Sequence, residues 1–168
     1  MTKEEKALLD MIAFAEGTIG ISLDGYDIAA GHKKIIGWTD DTEILHNNGV
    51  PNSWFDKKSS SDAAGRYQIS YRNWLAHNNN NKNIPITRIN QINTAIVIIN
   101  KVLGIIDKTK LRNNIDDFQL ATDRLANVWF SIPLKQTGKS IRTNHESKLI
   151  KNLFEIYKLA LLKYVDDK

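Results

Sequence analysis

"LLDMIAFAEGT", residues 8–18, places a glutamate where a carboxylate is poorly suited. Leu8, Leu9, Ile12 and Ala13 recur at helical spacing, Thr2 is placed to cap the start, and Gly17 is a stop signal, so the spacing predicts a helix from Glu4 to Glu16. On that helix Glu16 falls on the face of Ile12 and Leu9, four and seven residues back. Burial on that face favours the neutral acid. The negative end of the helix dipole adds to the effect, so both predict that Glu16 holds a proton near neutral pH. A glutamic acid protonated there can donate to the leaving oxygen of a glycosidic bond. Read from periodicity alone, the commoner case is a polar residue fraying into water past Gly17.

The chain has 168 residues, 42% hydrophobic and 25% charged, which predicts one globular domain with a core of its own. Its formal charge of +4 favours anionic partners without choosing among nucleic acid, lipid headgroups and cell-wall polymers. The basic residues follow no groove-reading motif, so no nucleic-acid partner is expected. Cysteine is absent, which excludes disulfides, zinc–thiolate sites and thiol nucleophiles. His32, His46, His77 and His145 form no metal-ligand spacing, and neither a metal nor a cofactor is expected. The first apolar segment is short, interrupted by Asp10 and preceded by acids, unlike a signal peptide. No run of about eighteen apolar residues predicts stable membrane insertion.

Beyond Gly17 the character changes. Gly20, Gly25, Gly31, Gly37 and Gly49 punctuate short β-type runs such as "YDIAAG" and "KIIGWT", predicting a small hairpin-like sheet over about 18–56. A helical lobe is expected over about 66–165. "RYQISYRNWLAH" (66–77) starts extended and turns helical, and "NNNNKN" (78–83) is a solvated turn. "TRINQINTAIVIINKVLG" (87–104) reads as a central helix, apolar on nearly every side between Ala95 and Val102. Ile115 to Ile132 reads as a further helix closed by Pro133, with Trp129 in the core. His145 to Tyr164 reads as an amphipathic helix that seals it. The class is therefore α+β, mostly helical with a small antiparallel sheet.

"FAEGT" (14–18), "GYDIAAG" (25–31), "SSSDAAGRYQI" (59–69) followed by "NW", and "NVWFSIP" (127–133) occur in an order that resembles the endolysins of lambda-type bacteriophages, the lysozyme-like lytic transglycosylases. The likeness is dense from Leu8 to Trp74 and rests on helix order beyond. It implies a single lysozyme-like catalytic domain over 1–168, with the sheet beside a substrate groove. It also implies that Glu16 is the one catalytic carboxylate, that Tyr26 and Asp27 line the cleft, and that Ala64, Gly65, Tyr67 and Gln68 lie beside the sugars. The implied activity cleaves peptidoglycan between N-acetylmuramic acid and N-acetylglucosamine, leaving 1,6-anhydro ends and lysing the host cell. The implied enzyme acts as a monomer. It is made in the host cytoplasm and reaches the wall after a holin opens the membrane.

The residues themselves leave several of these roles open. Gly65 reads as a simple turn or as a close approach of backbone to ligand, and Gln68 can both donate to and accept from an N-acetyl amide. Tyr67, Trp38, Trp54 and Trp74 read as core or as sugar-facing rings. Asp27 reads as a turn anchor or as the second carboxylate of a hydrolytic muramidase. Two segments depart from the family's pattern. The stretch between Gly17 and Gly25 is short, and Thr137-Gly138-Lys139 stands near an expected tyrosine. Lys135, Lys139 and Arg142 there would meet substrate carboxylates or simply solvent.

Overall fold

The structure, a computed structural model, describes residues 1–46, 62–133 and 150–164. Trp54, the segment 134–143 with its three cations, and the predicted start of the last helix at His145 lie outside the described residues. The chain divides into two compact units, one made of Met1–Gly17 with Ile99–Lys168 and the other of Thr18–Ile98. The segment after residue 66 falls in the same unit as the β region as far as Ile98.

In the first unit, α1 spans Lys3–Glu16. It starts where it does because Thr2 and Glu5 satisfy each other's main-chain donors: the Glu5 amide donates to Thr2 Oγ1 at 3.2 Å and the Thr2 amide to Glu5 Oε2 at 2.9 Å. It ends at Gly17, whose φ of 72° lets the amide turn back onto the Ala13 and Phe14 carbonyls. Ala7, Leu8, Met11, Ile12 and Ala15 make the buried stripe. Against it packs α5 (Ile150–Lys163), which buries Leu153, Tyr157, Ala160 and Leu161. Tyr164 fixes the register by donating to Asp10 Oδ2 at 2.9 Å. From α4 (Ile115–Leu125), Phe118 meets the rings of Phe154 and Tyr157 at 4.9 and 5.4 Å.

α4 ends at Leu125 rather than running to Ile132, because the Asn127 side chain donates to the Asp123 and Arg124 carbonyls, both at 3.2 Å, and so closes the helix end. Trp129 beyond it is 1% exposed, as the core reading expects. Leu120, read as an apolar helix position, is 48% exposed.

In the second unit, β1 (Ile28–Ala29) pairs antiparallel with β2 (Lys33–Lys34), with Ile28 opposite Lys34. Among the described residues the predicted sheet is this ribbon, accompanied by three isolated bridges, Ala29 with Ala64, Ala64 with Ile69 and Leu45 with Pro85. The glycines that signalled hairpins instead turn the chain, since Gly20, Gly25, Gly31 and Gly37 all have positive φ. α2 (Tyr71–His77) follows its Ser70 cap and buries Trp74. α3 (Arg88–Leu103) begins in this unit and ends in the other. It is not apolar all round: Gln91, Thr94, Ala95, Ile98, Ile99 and Leu103 are buried at helical spacing, whereas Val97 is 46% exposed.

The capping pair at the start of α1 makes a direct prediction. Burial pushes the Glu5 carboxyl up, but the Thr2 amide, Asn100 and Lys108 outweigh it and hold it below its ordinary value. A lowered carboxyl supplies stability above its unfolded-state value and loses it as pH falls through the folded-state value. Glu5→Gln, which keeps the shape of the side chain but not the charge that these donors hold, is therefore expected to cost about 1 kcal/mol near neutral pH. The difference from wild type should shrink as the pH falls below the carboxylate range. Urea unfolding at two pH values checks this, and a difference that grows on acidification would refute it.

Candidate functional site

Glu16 stands in the last turn of α1, partly buried, with Ala15 before it at 5% exposure and the left-handed Gly17 after it. No basic residue lies in that turn. Its Oε1 accepts a hydrogen bond from the hydroxyl of Ser131, a residue 115 positions away. Ser131 sits between two buried anchors, Trp129 and Ile132, and the Ile132 amide donates to the Trp129 carbonyl at 2.9 Å. Backbone on both sides of the pair is thus held. "NVWFSIP" contributes this serine, which sequence reasoning missed because nothing local to Ser131 marks it as a partner of α1.

The other predicted site residues all lie in the second unit, where they are close neighbours. Tyr26 and Tyr67 set their hydroxyls 3.3 Å apart and their rings edge to face. Tyr26 also stacks on Trp38 and lies under the guanidinium groups of Arg66 and Arg88, at 5.5 and 4.7 Å. Both tyrosines are nearly enclosed, Tyr26 at 7% exposure and Tyr67 at 2%. Ala64 is buried between its two bridges. Gln68 takes a positive φ of 44° and points its amide nitrogen at the Gly65 carbonyl (2.9 Å) and the Ile28 carbonyl (3.3 Å). Trp38 is buried, with its indole nitrogen donating to the Ile86 carbonyl at 2.9 Å.

Asp27 has no accessible surface. Its carboxylate accepts from the Ser22 hydroxyl at 2.6 Å and the Leu23 amide at 3.2 Å, with Lys34 Nζ at 3.7 Å. These contacts are those of the turn anchor, closing the short stretch between Gly17 and Gly25. Its neighbour Asp24 pairs with Arg66, which is itself buried and also donates to the Asp24 carbonyl at 2.6 Å. Burial would push the Asp24 carboxyl up; the guanidinium and the Gly20 amide outweigh it and hold the carboxyl below its ordinary value.

The centre of this arrangement is a residue the sequence did not advertise. Gln91, 2% exposed on α3, accepts from the Arg66 amide at 2.9 Å and donates to the carbonyls of Tyr26 (2.9 Å) and Ile86 (2.8 Å). A glutamine on the apolar stripe with Ala95 and Ile98 was the available signal. Gly65 lies directly against it: a Cβ there would sit 2.1 Å from Gln91 Oε1. The close approach at Gly65 is therefore to a protein side chain.

Among the described residues, no group of three or more His, Asp or Glu is placed to hold a metal ion, and no helix is long and apolar enough to cross a membrane.

A family model described as Endolysin matches residues 6–161, a span that includes Glu16, the second-unit cluster and Ser131. The chain belongs to the endolysin family. Endolysins are enzymes that act on peptidoglycan. The chain is similar to the endolysin of Escherichia phage lambda, 28% identical in an alignment 142 residues long that covers 79% of each protein. Among solved structures it is similar to lysozyme from bacteriophage lambda, with a TM-score of 0.64 at 24% identity. It is also similar to bacteriophage lambda lysozyme complexed with a chitohexasaccharide, with a TM-score of 0.65 at the same identity, over 95% of both chains. At that identity the likeness establishes the fold, which is that of lambda lysozyme, mostly helical with a two-stranded antiparallel sheet.

Proposed function

We propose that this endolysin is a lytic transglycosylase that cleaves the β-1,4 bond between N-acetylmuramic acid and N-acetylglucosamine in peptidoglycan. Glu16 carries the proposal: a partly buried carboxyl at the end of α1, held by a hydroxyl on a well-anchored turn. In the first step Glu16 protonates the glycosidic oxygen as the C1–O bond breaks, and the muramic N-acetyl group stabilises the positive charge left on C1. Glu16, now a carboxylate, then takes the proton from the muramic C6 hydroxyl as that oxygen bonds to C1. The product is a 1,6-anhydro sugar, with no water consumed. Holding the C6 hydroxyl beside C1 gives the intramolecular path its entropic advantage over attack by solvent.

Support for a single-carboxylate route comes from Asp27. An acid with no accessible surface, engaged by Ser22 and Leu23, is poorly placed to activate water. In this reading Tyr26, Asp27, Ala64, Gly65 and Tyr67 serve the sugar-binding surface by fixing its shape, and Gln68 touches the glycan. A chitohexasaccharide in the lambda lysozyme complex supports a glycan ligand. The role is host-cell lysis by a monomer, with a holin giving access to the wall.

Mass analysis of the soluble fragments released from purified peptidoglycan tests the reaction. The expected muropeptides are one water lighter than hydrolytic products and lack a reducing end. Reducing muramic acid ends as the main product would make the enzyme a hydrolytic muramidase.

A further inference from the structure

We infer that Ser131 is a positioning residue for Glu16: by donating to Oε1 it fixes the plane of the carboxyl and assigns the transferable proton to Oε2. The inference rests on the reading of Glu16 as the acid.

A neutral carboxyl has one protonated oxygen, which is a poor acceptor, and one carbonyl oxygen, which is a good one. A hydroxyl held against Oε1 therefore favours the arrangement in which Oε1 is the carbonyl oxygen. Without it that preference is lost, and the proton is correctly aimed for less of the time. Both partners sit on fixed backbone. Glu16 is followed by the Gly17 cap, and Ser131 is bracketed by Trp129 at 1% exposure and Ile132 at 0%. The contact is in place before any substrate arrives.

A serine also suits a group that must change charge twice in one turnover. A lysine or arginine in its place would favour the carboxylate strongly and oppose reprotonation. A hydroxyl holds the geometry in both states, and its hydrogen bond strengthens when the proton leaves and the acceptor becomes charged. The same contact thus aims the acid in the first step and steadies the base in the second.

The test compares Ser131→Ala, Ser131→Thr and Glu16→Gln on soluble glycan-strand fragments. Ser131→Ala is expected to lower kcat roughly ten- to a hundredfold, as befits a hydrogen bond to a group that becomes charged, with KM within about twofold of wild type. Removing a donor that favours the carboxylate lets the acid keep its proton to higher pH. The alkaline limb of the pH–rate profile should therefore move up by about half to one unit. Ser131→Thr keeps the hydroxyl and should restore most of kcat and return the limb. An unshifted limb in Ser131→Ala, a loss confined to KM, or no restoration by threonine would overturn the inference. Activity surviving in Glu16→Gln would instead sink the reading of Glu16, an outcome visible on its own.

Discussion

Glu16→Gln is expected to lower the rate of peptidoglycan cleavage by a factor on the order of a hundred to ten thousand, with the fold unchanged. Glutamine keeps the shape of the side chain, and its carbonyl oxygen can still accept from Ser131, but the amide has no proton to deliver and cannot then act as the base. Stability should hold or rise slightly, because the substitution removes a potential negative charge from the negative end of α1. Cleavage rate and thermal unfolding measured on one preparation separate the two effects. More than about a tenth of the wild-type rate would place the acid elsewhere.

Gly65→Ala should produce the largest loss of stability. The residue has a φ of +77°, and its new Cβ would lie 2.1 Å from Gln91 Oε1 and 2.5 Å from Gln91 Cδ. Gln91 can move only by releasing the Arg66 amide and the Tyr26 and Ile86 carbonyls, each of which would be left in a buried place without its partner. Adding the cost of a left-handed alanine, the loss is about 3–5 kcal/mol. That lowers the unfolding temperature by about 10 °C or more. Gly31→Ala is the control, with a similar φ of +74° but no atom within 4 Å of its Cβ. It should cost only about 1 kcal/mol. Equal losses in the two variants would show that backbone strain alone explains Gly65.

What could be read from the sequence followed the range of the interactions involved. α1 was legible from cap to cap because Thr2, Glu5, the buried stripe and Gly17 act within a few residues of one another. Glu16 stood out for the same reason, as a carboxylate on an apolar face. The end of α4 was misjudged because Asn127 closes the helix with its side chain while the apolar pattern runs on to Ile132. The glycines between 18 and 46 marked chain reversals correctly, yet the strands between them are two residues each, since most of that segment is turn.

Long-range partners were the illegible part. Gly65 lies in a turn at positive φ, one of the readings its residue type left open, but that Gln91 packs against it became visible only once folding had brought the two together. Tyr67 and Asp27 took the enclosed options among those the residues allowed, for reasons that lie in Tyr26, Ser22 and Leu23. Ser131 could not be connected to Glu16 without the fold, although both lie in motifs that the sequence had singled out.

Gln91 concentrates in one amide the closure that a sheet would spread over a ladder. Its three bonds gather main chain from Tyr26, Arg66 and Ile86, so three distant stretches of sequence depend on one position. Few residues can replace it. Glutamate has the reach but would face two carbonyls with no donor, and asparagine has the donor but is one methylene short. A change at position 91 and a change at Gly65 are therefore expected to be strongly non-additive in stability, since both act on the same three bonds.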